Sequence, residues 1–307
     1  MSEQGDSGTR TKSIRELFRQ TAQTLRQGGI AEAQLESELL LRNFFGLNRV
    51  EMHLSERAAT TAELAEFALL VERRLRREPL AYIIGEREFW GLAFAVSPAV
   101  LIPRPETELL IEEVLARIPA PKTFTGAILD LGTGSGVMPV VLARELPRVR
   151  VVGVDISPAA LAVAAVNGQR HGVAARIDWL LGDWFSPLLP GTHFSFVVSN
   201  PPYVTEPSRP TLQPELSFEP SGALFAGADG LDDIRQLISQ GPDFLVTGGW
   251  LIMEIGYDQG AAVAELLRAE PDLEASEIIK DYAGLDRLAI ARKTKSALSA
   301  ANDQVII

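Results

Sequence analysis

The sequence predicts an α/β fold: a doubly wound, mostly parallel sheet preceded by a small N-terminal helical bundle. Three observations carry this. From about residue 106 to 292, short apolar strands alternate with helical segments, the pattern that crossover helices on a parallel sheet produce. Residues 13–79 instead repeat apolar residues at helical spacing throughout. Between them, 80–102 changes to a strand-like period around a turn, which reads as a connector hairpin. The ends, 1–12 and 293–307, are polar or weakly patterned and read as flexible tails.

The helical segment opens with Ser13 and Glu16 at capping-box spacing. Ile14, Leu17, Phe18, Ala22 and Leu25 then fall on one face, and Gly28-Gly29 ends the helix. Leu35, Leu39 and Leu40 continue the pattern up to Gly46. Thr60 and Glu63 form another capping box before a stripe of Leu64, Phe67, Ala68, Val71 and Leu75, closed before Pro79. In the connector, Phe89-Trp90-Gly91-Leu92 and Phe94-Ala95-Val96 predict a strand pair. The third segment, 103–292, offers strands at 127–131, 149–155, 176–181, 194–200 and 248–255. Helices are predicted at 136–146 and after Ser157-Pro158, the latter ended by Gly172.

Composition narrows the functional classes. The 307 residues include no cysteine, which excludes disulfides, zinc thiolate sites and a cysteine nucleophile. His53, His171 and His193 are scattered without ligand spacing, so no metal is expected. The polar first residues lack a signal-peptide core, and no apolar run reaches membrane-spanning length. A cytoplasmic location is expected. The formal net charge is -11, from 29 basic and 40 acidic side chains. That balance opposes a protein that grips a nucleic-acid backbone. The tight basic cluster is Arg73, Arg74, Arg76 and Arg77. It reads as a solvated helix face, with contact to an anionic partner as the other reading.

Asp130-Leu131-Gly132-Thr133-Gly134-Ser135-Gly136 stands at a strand end before a helix, where open α/β sheets bind ligands. Glycines there let the chain turn sharply and a ligand approach closely. The dinucleotide fingerprint would need its third glycine at Val137, so pyrophosphate binding is disfavoured. The next strand ends at Asp155, an acid able to accept hydrogen bonds from both hydroxyls of a ribose. After the third strand comes Gly182-Asp183-Trp184-Phe185. Its acid suits an adenine amino group and its tryptophan suits stacking, against the plainer reading of a tryptophan buried beneath a loop.

Asn200-Pro201-Pro202-Tyr203 follows the fourth strand. Two prolines fix the backbone and remove two donors, leaving the Pro201 carbonyl and the Asn200 side-chain oxygen as acceptors. A planar NH2 group, whether amide or exocyclic amine, can give one hydrogen to each. Such a nitrogen is a weak nucleophile because its lone pair is delocalised. Two acceptors draw density back onto it, and Tyr203 can pack flat against the group.

With these residues in view, the chain resembles the HemK/PrmC family of protein N5-glutamine methyltransferases. The stretches that carry the resemblance are 79–110, DLGTGSG (130–136), GVDIS (153–157), GDWF (182–185), NPPY (200–203) and 219–235. It implies S-adenosyl-L-methionine as cofactor and class 1 peptide chain release factors as partners, methylated on the glutamine of their Gly-Gly-Gln motif. It also implies a seven-stranded class I methyltransferase sheet whose last strand is antiparallel. Gly132, Thr133, Gly134, Ser135 and Gly136 would cradle the methionine end, Asp155 the ribose and Trp184 the adenine. Asn200, Pro201, Pro202 and Tyr203 would grip the glutamine, Asn200 also bordering the cofactor. A monomer without direct nucleic-acid or membrane contacts is expected.

Arg104-Pro105-Glu106-Thr107-Glu108 either borders the substrate pocket or forms an Arg–Glu pairing at a helix start. Rival readings are a ribosomal-protein glutamine methyltransferase and an adenine-N6 nucleic-acid methyltransferase, which NPPY suits equally well. A nicotinamide-dependent oxidoreductase and a non-enzymatic interaction protein fit the motifs less well.

Overall fold

The computed structural model describes residues 12–294. Its chain contacts define two compact units. One comprises the described residues up to Gly85 together with Pro214–Phe218; the other comprises Glu86–Gln213 and everything described from Glu219 onward. The expected tails lie outside the described residues, apart from Lys12 and residues 293 and 294.

The first unit is helical. A two-residue strand β1 (Lys12–Ser13) pairs antiparallel with β2 (Ala58–Ala59). Helix α1 (Ile14–Gln27) is capped by Ser13, whose hydroxyl accepts from the Glu16 N–H, and stops at Gly28. Its Ile14, Leu17, Ala22 and Leu25 are buried as the stripe predicts. Helix α2 (Ala33–Phe45) ends at Gly46, held in the left-handed region. Here the predicted face is displaced: Ala33, Ser37, Leu40, Leu41 and Phe45 are buried, whereas Leu35 points outward. Helix α3 (Arg49–Leu54) has a full Asn48–Glu51 capping box that the apolar pattern alone did not signal. Helix α4 (Thr61–Leu75) has the Thr60–Glu63 box in both directions and buries Phe67, while Ala68 is exposed. Leu80–Ile84, expected within the hairpin connector, forms helix α5.

The second unit opens with the hairpin, β3 (Glu86–Phe89) against β4 (Leu92–Ala95). Trp90 and Gly91 both have positive φ, 54° and 66°, as a two-residue type I′ turn demands. The strain at Trp90 is offset locally, because its N–H donates to Glu108 Oε1 at 2.7 Å. Glu108 opens helix α6 (Glu108–Ala116).

The sheet follows. In chain order its members are β5 (Ala127–Leu131), α7 (Val137–Glu145), β6 (Arg150–Asp155), α8 (Pro158–Arg170), β7 (Ile177–Leu181) and β8 (Phe194–Ser199). Then come α9 (Asp232–Gln240), β9 (Leu245–Glu254), α10 (Gly260–Ala269), β10 (Leu273–Lys280) and β11 (Asp286–Lys293). Seven strands lie in the order β10-β11-β9-β8-β5-β6-β7. Strands β5 to β9 pair in parallel, and β11 runs antiparallel to both of its neighbours.

Alternate residues serve opposite faces of this sheet. Ile128, Val151 and Ile252 pack with α6 and α7, whereas Leu129, Val152 and Leu251 pack with α9 and α10. The order reverses at β5, with β6 on one side and β8 on the other. Their carboxyl ends therefore converge on one crevice, where a ligand site belongs.

Candidate active site

The loop after β5 is a glycine device. Gly132, Gly134 and Gly136 have φ of 72°, 54° and 77°, values that L side chains rarely adopt. The N–H groups of Gly132 and Thr133 donate to the Val154 carbonyl at 2.9 and 3.0 Å, tying the loop to β6. Asp155, at the end of β6, accepts from the Gly134 N–H at 2.8 Å through Oδ2 and from the Ser157 N–H at 2.9 Å through Oδ1. Its carboxylate is thus oriented by backbone on both oxygens, each keeping a lone pair. Ser157 caps α8, accepting from the Ala160 N–H, with Pro158 at the first helical position. Asn167 of α8 is buried and donates to the carbonyls of Ser135 (2.8 Å) and Ala95 (3.0 Å), so one side chain braces both loop and hairpin.

Beneath the loop, both carboxyl oxygens of Asp130 and the Thr133 hydroxyl are buried without a hydrogen-bond partner. Burial pushes the Asp130 carboxyl up to about 7, and the Asp155 charge pushes the same way. Trp184 has φ 46°, and its six-membered ring lies against Gly132, 3.6 Å from where a Cβ would stand. Burial raises the carboxyl of Asp233 on α9, and the Trp184 side chain pulls it the other way. Asp183 is exposed.

The tetrapeptide after β8 is anchored from below. Asn200 Nδ2 donates to Thr107 Oγ1 at 3.2 Å. Thr107 donates in turn to Glu254 Oε2 at 2.7 Å, and the Tyr203 hydroxyl donates to Glu254 Oε1 at 3.1 Å. Glu254 closes β9 and is only 1% exposed. Burial raises its pKa against the pull of Thr107, Arg287 and Tyr203. Burial, then the Glu254 charge, also raises the Tyr203 phenol. Gln259 donates to the Tyr203 and Gly230 carbonyls, each at 3.1 Å, and fixes the backbone on leaving the motif.

These two halves share a cavity of about 370 Å³, lined among others by Gly132, Gly134, Asp155, Trp184, Asn200 and Pro202. Pro201 is buried and Tyr203 half-buried; neither is part of the lining. Thr107 does line the cavity, whereas Arg104 pairs with Glu219 at 2.6 Å. The partner of Arg104 is thus a distant carboxylate and not Glu106 or Glu108 of its own stretch. Glu219 also accepts from the Ile102 N–H at 3.0 Å.

Comparison with known proteins agrees with this arrangement. The family model described as the PrmC N-terminal domain matches residues 16–85, and the methyltransferase small domain matches 105–215. A release factor glutamine methyltransferase of Vibrio cholerae is 40% identical over 283 residues, covering 91% of this chain and 96% of the relative. One from Geobacter sulfurreducens is 44% identical over 253 residues, covering 82% and 87%. The chain belongs to the release factor glutamine methyltransferase family. Among solved structures, the hMettl16 catalytic domain in complex with an RNA hairpin superposes with a TM-score of 0.53 at 14% identity, covering 79% of this chain and 87% of that one. The Thermus thermophilus 16S rRNA methyltransferase RsmC, in complex with AdoMet and guanosine, gives 0.50 at 20% identity, covering 68% and 49%. These two likenesses speak to the fold alone.

Four residues outside the motifs brace them: Thr107, Asn167, Glu254 and Gln259. Asn167, Glu254 and Gln259 are not singled out from the sequence as parts of a site, whereas Thr107 lies in the 104–108 stretch, of which a pocket border is one reading. Glu254 alone left a trace: it is an acid ending the apolar run GGWLIMEI, and a carboxylate buried there requires partners. The other polar groups in view serve structure. His171 Nε2 bonds the Ala93 carbonyl at 2.9 Å and its ring packs on Phe94; the side chain of His53 lies outside the described part. Among the described residues no three His, Asp or Glu side chains gather as a metal site requires, and no helix is long and apolar enough to cross a membrane.

Proposed function

We propose that the chain methylates the side-chain amide nitrogen of the Gly-Gly-Gln glutamine in class 1 peptide chain release factors, using S-adenosyl-L-methionine, as a cytoplasmic enzyme. The observation that carries this reading is the shared cavity: the glycine loop and Asn200 line the same space. The residues fit the cofactor. Positive-φ glycines leave room beside the backbone, Asp155 keeps lone pairs for ribose hydroxyls, and the buried unpartnered oxygens of Asp130 suit a nearby cationic group. The Trp184 ring beside Gly132 supplies an apolar wall for the adenosine portion. Bound there, the cofactor supplies an electrophilic methyl group on a sulfonium, with a neutral thioether as the leaving group.

The remaining work falls to the tetrapeptide. Because Asn200 spends its NH2 on Thr107, its Oδ1 is the end left to accept from a substrate. That oxygen and the Pro201 carbonyl take the two amide hydrogens, raise electron density on nitrogen, and aim it. The proton departs after transfer, so no strong base is required. Orientation and fixed dipoles are the catalytic terms.

The test is labelling. Incubation with methyl-labelled S-adenosylmethionine and both class 1 release factors, ribosomal proteins and unmethylated DNA, followed by mass spectrometry, should put label on the Gly-Gly-Gln glutamine. Asn200→Ala should lower kcat by about 100- to 1,000-fold, the range for losing one pre-oriented polar contact to the reacting group. Label only on ribosomal protein or DNA would overturn the substrate. A normal turnover in Asn200→Ala would overturn the role of Asn200.

A further inference from the structure

A side-chain amide is nearly symmetric in shape, and only its surroundings decide which end faces the substrate. If Asn200 turned by 180°, an NH2 would point where the acceptor must be, and the target amide would meet a donor. We infer that Glu254 and Thr107 are positioning residues that hold Asn200 in its accepting orientation; the inference rests on the proposed amide methylation. The logic is a chain of forced choices. Glu254 Oε2 accepts the Thr107 hydroxyl proton (2.7 Å). With its one proton committed, Thr107 can only accept from Asn200 (3.2 Å). The Asn200 nitrogen must therefore face Thr107 and its oxygen the other way.

The same carboxylate holds the other half of the grip. Its second oxygen accepts the Tyr203 hydroxyl at 3.1 Å. One buried side chain at the end of β9 thus fixes both the acceptor and the tyrosine that closes the motif. Glu254, Thr107 and Tyr203 lie far apart in sequence and come from three elements: the strand end, the turn before α6, and the motif itself. Glu254 is only 1% exposed and does not line the cavity, so its effect must pass through these neighbours.

Thr107→Val removes the hydroxyl while keeping shape, Thr107→Ser keeps the hydroxyl, and Glu254→Gln keeps volume but offers Thr107 a donor. We would measure kcat and KM for whichever acceptor the wild-type protein labels, together with S-adenosylhomocysteine affinity by calorimetry. Thr107→Val is expected to lose about 100-fold in kcat, the scale of a misplaced reacting group. Its KM and its S-adenosylhomocysteine affinity should stay within about twofold, and Glu254→Gln should lose at least about tenfold in kcat in the same manner. Thr107→Ser should rescue kcat to within a few-fold of wild type. Full activity in Thr107→Val, or a serine variant as impaired as the valine one, would overturn the inference. If Thr107→Val lost S-adenosylhomocysteine binding, Glu254→Gln would decide alone, full kcat there being the overturning result. A wild-type protein that labels no acceptor sinks the proposed function; an active wild type with an equally active Thr107→Val sinks only this inference.

Discussion

Asp130 sits in an environment that opposes its own charge. It is wholly buried, both oxygens lack partners, and its pKa is pushed to about 7 from the model-peptide value 3.8. The folded state therefore binds a proton that the unfolded chain releases, so Asp130 lowers stability progressively as pH rises from about 4 to about 7. Asp130→Asn removes that charge without changing shape. In the ligand-free protein, the difference in Tm between variant and wild type should be small at pH 4.5. At pH 8 the variant should melt at the higher temperature, reflecting a stability gain on the order of a few kcal/mol. Thermal melts at both pH values measure it, and parallel shifts at the two would refute the assignment. A neutral acceptor also holds a cationic group less well, so S-adenosylmethionine should bind the variant more weakly. The residue scale is also where sequence reasoning divided most sharply. Gly132, Asp155 and Asn200 were legible because a local pattern, glycine spacing or a strand end, announces them. Thr107, Glu254, Asn167 and Gln259 act by reaching across the fold: Thr107 to Glu254 spans 147 positions, and no local spacing encodes that.

Elements were legible where their boundaries carry their own chemistry. Strand β5 matches its predicted span because all five residues are buried, and α8 matches because Ser157, Pro158 and Gly172 punctuate it. The last two strands escaped a residue-by-residue reading. In β10, LEASEIIK is mostly exposed at the sheet edge, and a bulge between Glu274 and Glu277 breaks its alternation. Leu35 and Ala68 misled because the buried face of each helix is set by its neighbours, not by the count of apolar residues. Two glycines separate backbone strain from packing. Gly91 has φ 66° with open space around a would-be Cβ, whereas Gly136 has φ 77° and would place that atom 2.9 Å from Ala164 Cβ and 3.0 Å from Trp179. Gly91→Ala should cost about 1–2 kcal/mol from the left-handed backbone alone. Gly136→Ala should cost that plus about 1–3 kcal/mol of overpacking, and it should weaken S-adenosylhomocysteine binding. Denaturant melts compare the two directly; equal losses would mean that the α7–α8 contact yields freely.

At the scale of the whole molecule, charge decides between a protein and a nucleic-acid substrate. The tetrapeptide would suit an adenine NH2 as well as an amide. The net charge is -11. The cluster that might have gripped phosphates is neutralised within its own unit: Arg73 pairs with Glu78 at 2.6 Å, Arg76 with Glu72 at 3.4 Å, and Arg77 with Glu215 at 3.4 Å. Arg74 is buried between Glu36 at 2.5 Å and Glu215 at 3.0 Å. Freeing Arg73, Arg74 and Arg77 for phosphate would leave the half-buried carboxylates of Glu78, Glu36 and Glu215 without partners, a cost that screened phosphate contacts would have to exceed. Binding of single-stranded and duplex DNA or RNA, followed by fluorescence anisotropy, should accordingly be weak at 50 mM salt. It should lack the steep salt slope of a protein that neutralises several phosphates, for which affinity falls about 1,000-fold or more between 50 and 200 mM. Tight binding with such a slope would mean that the Arg73–Arg77 ion pairs open for phosphate, and would return the exocyclic amine of a base to first place as the group that Asn200 accepts from.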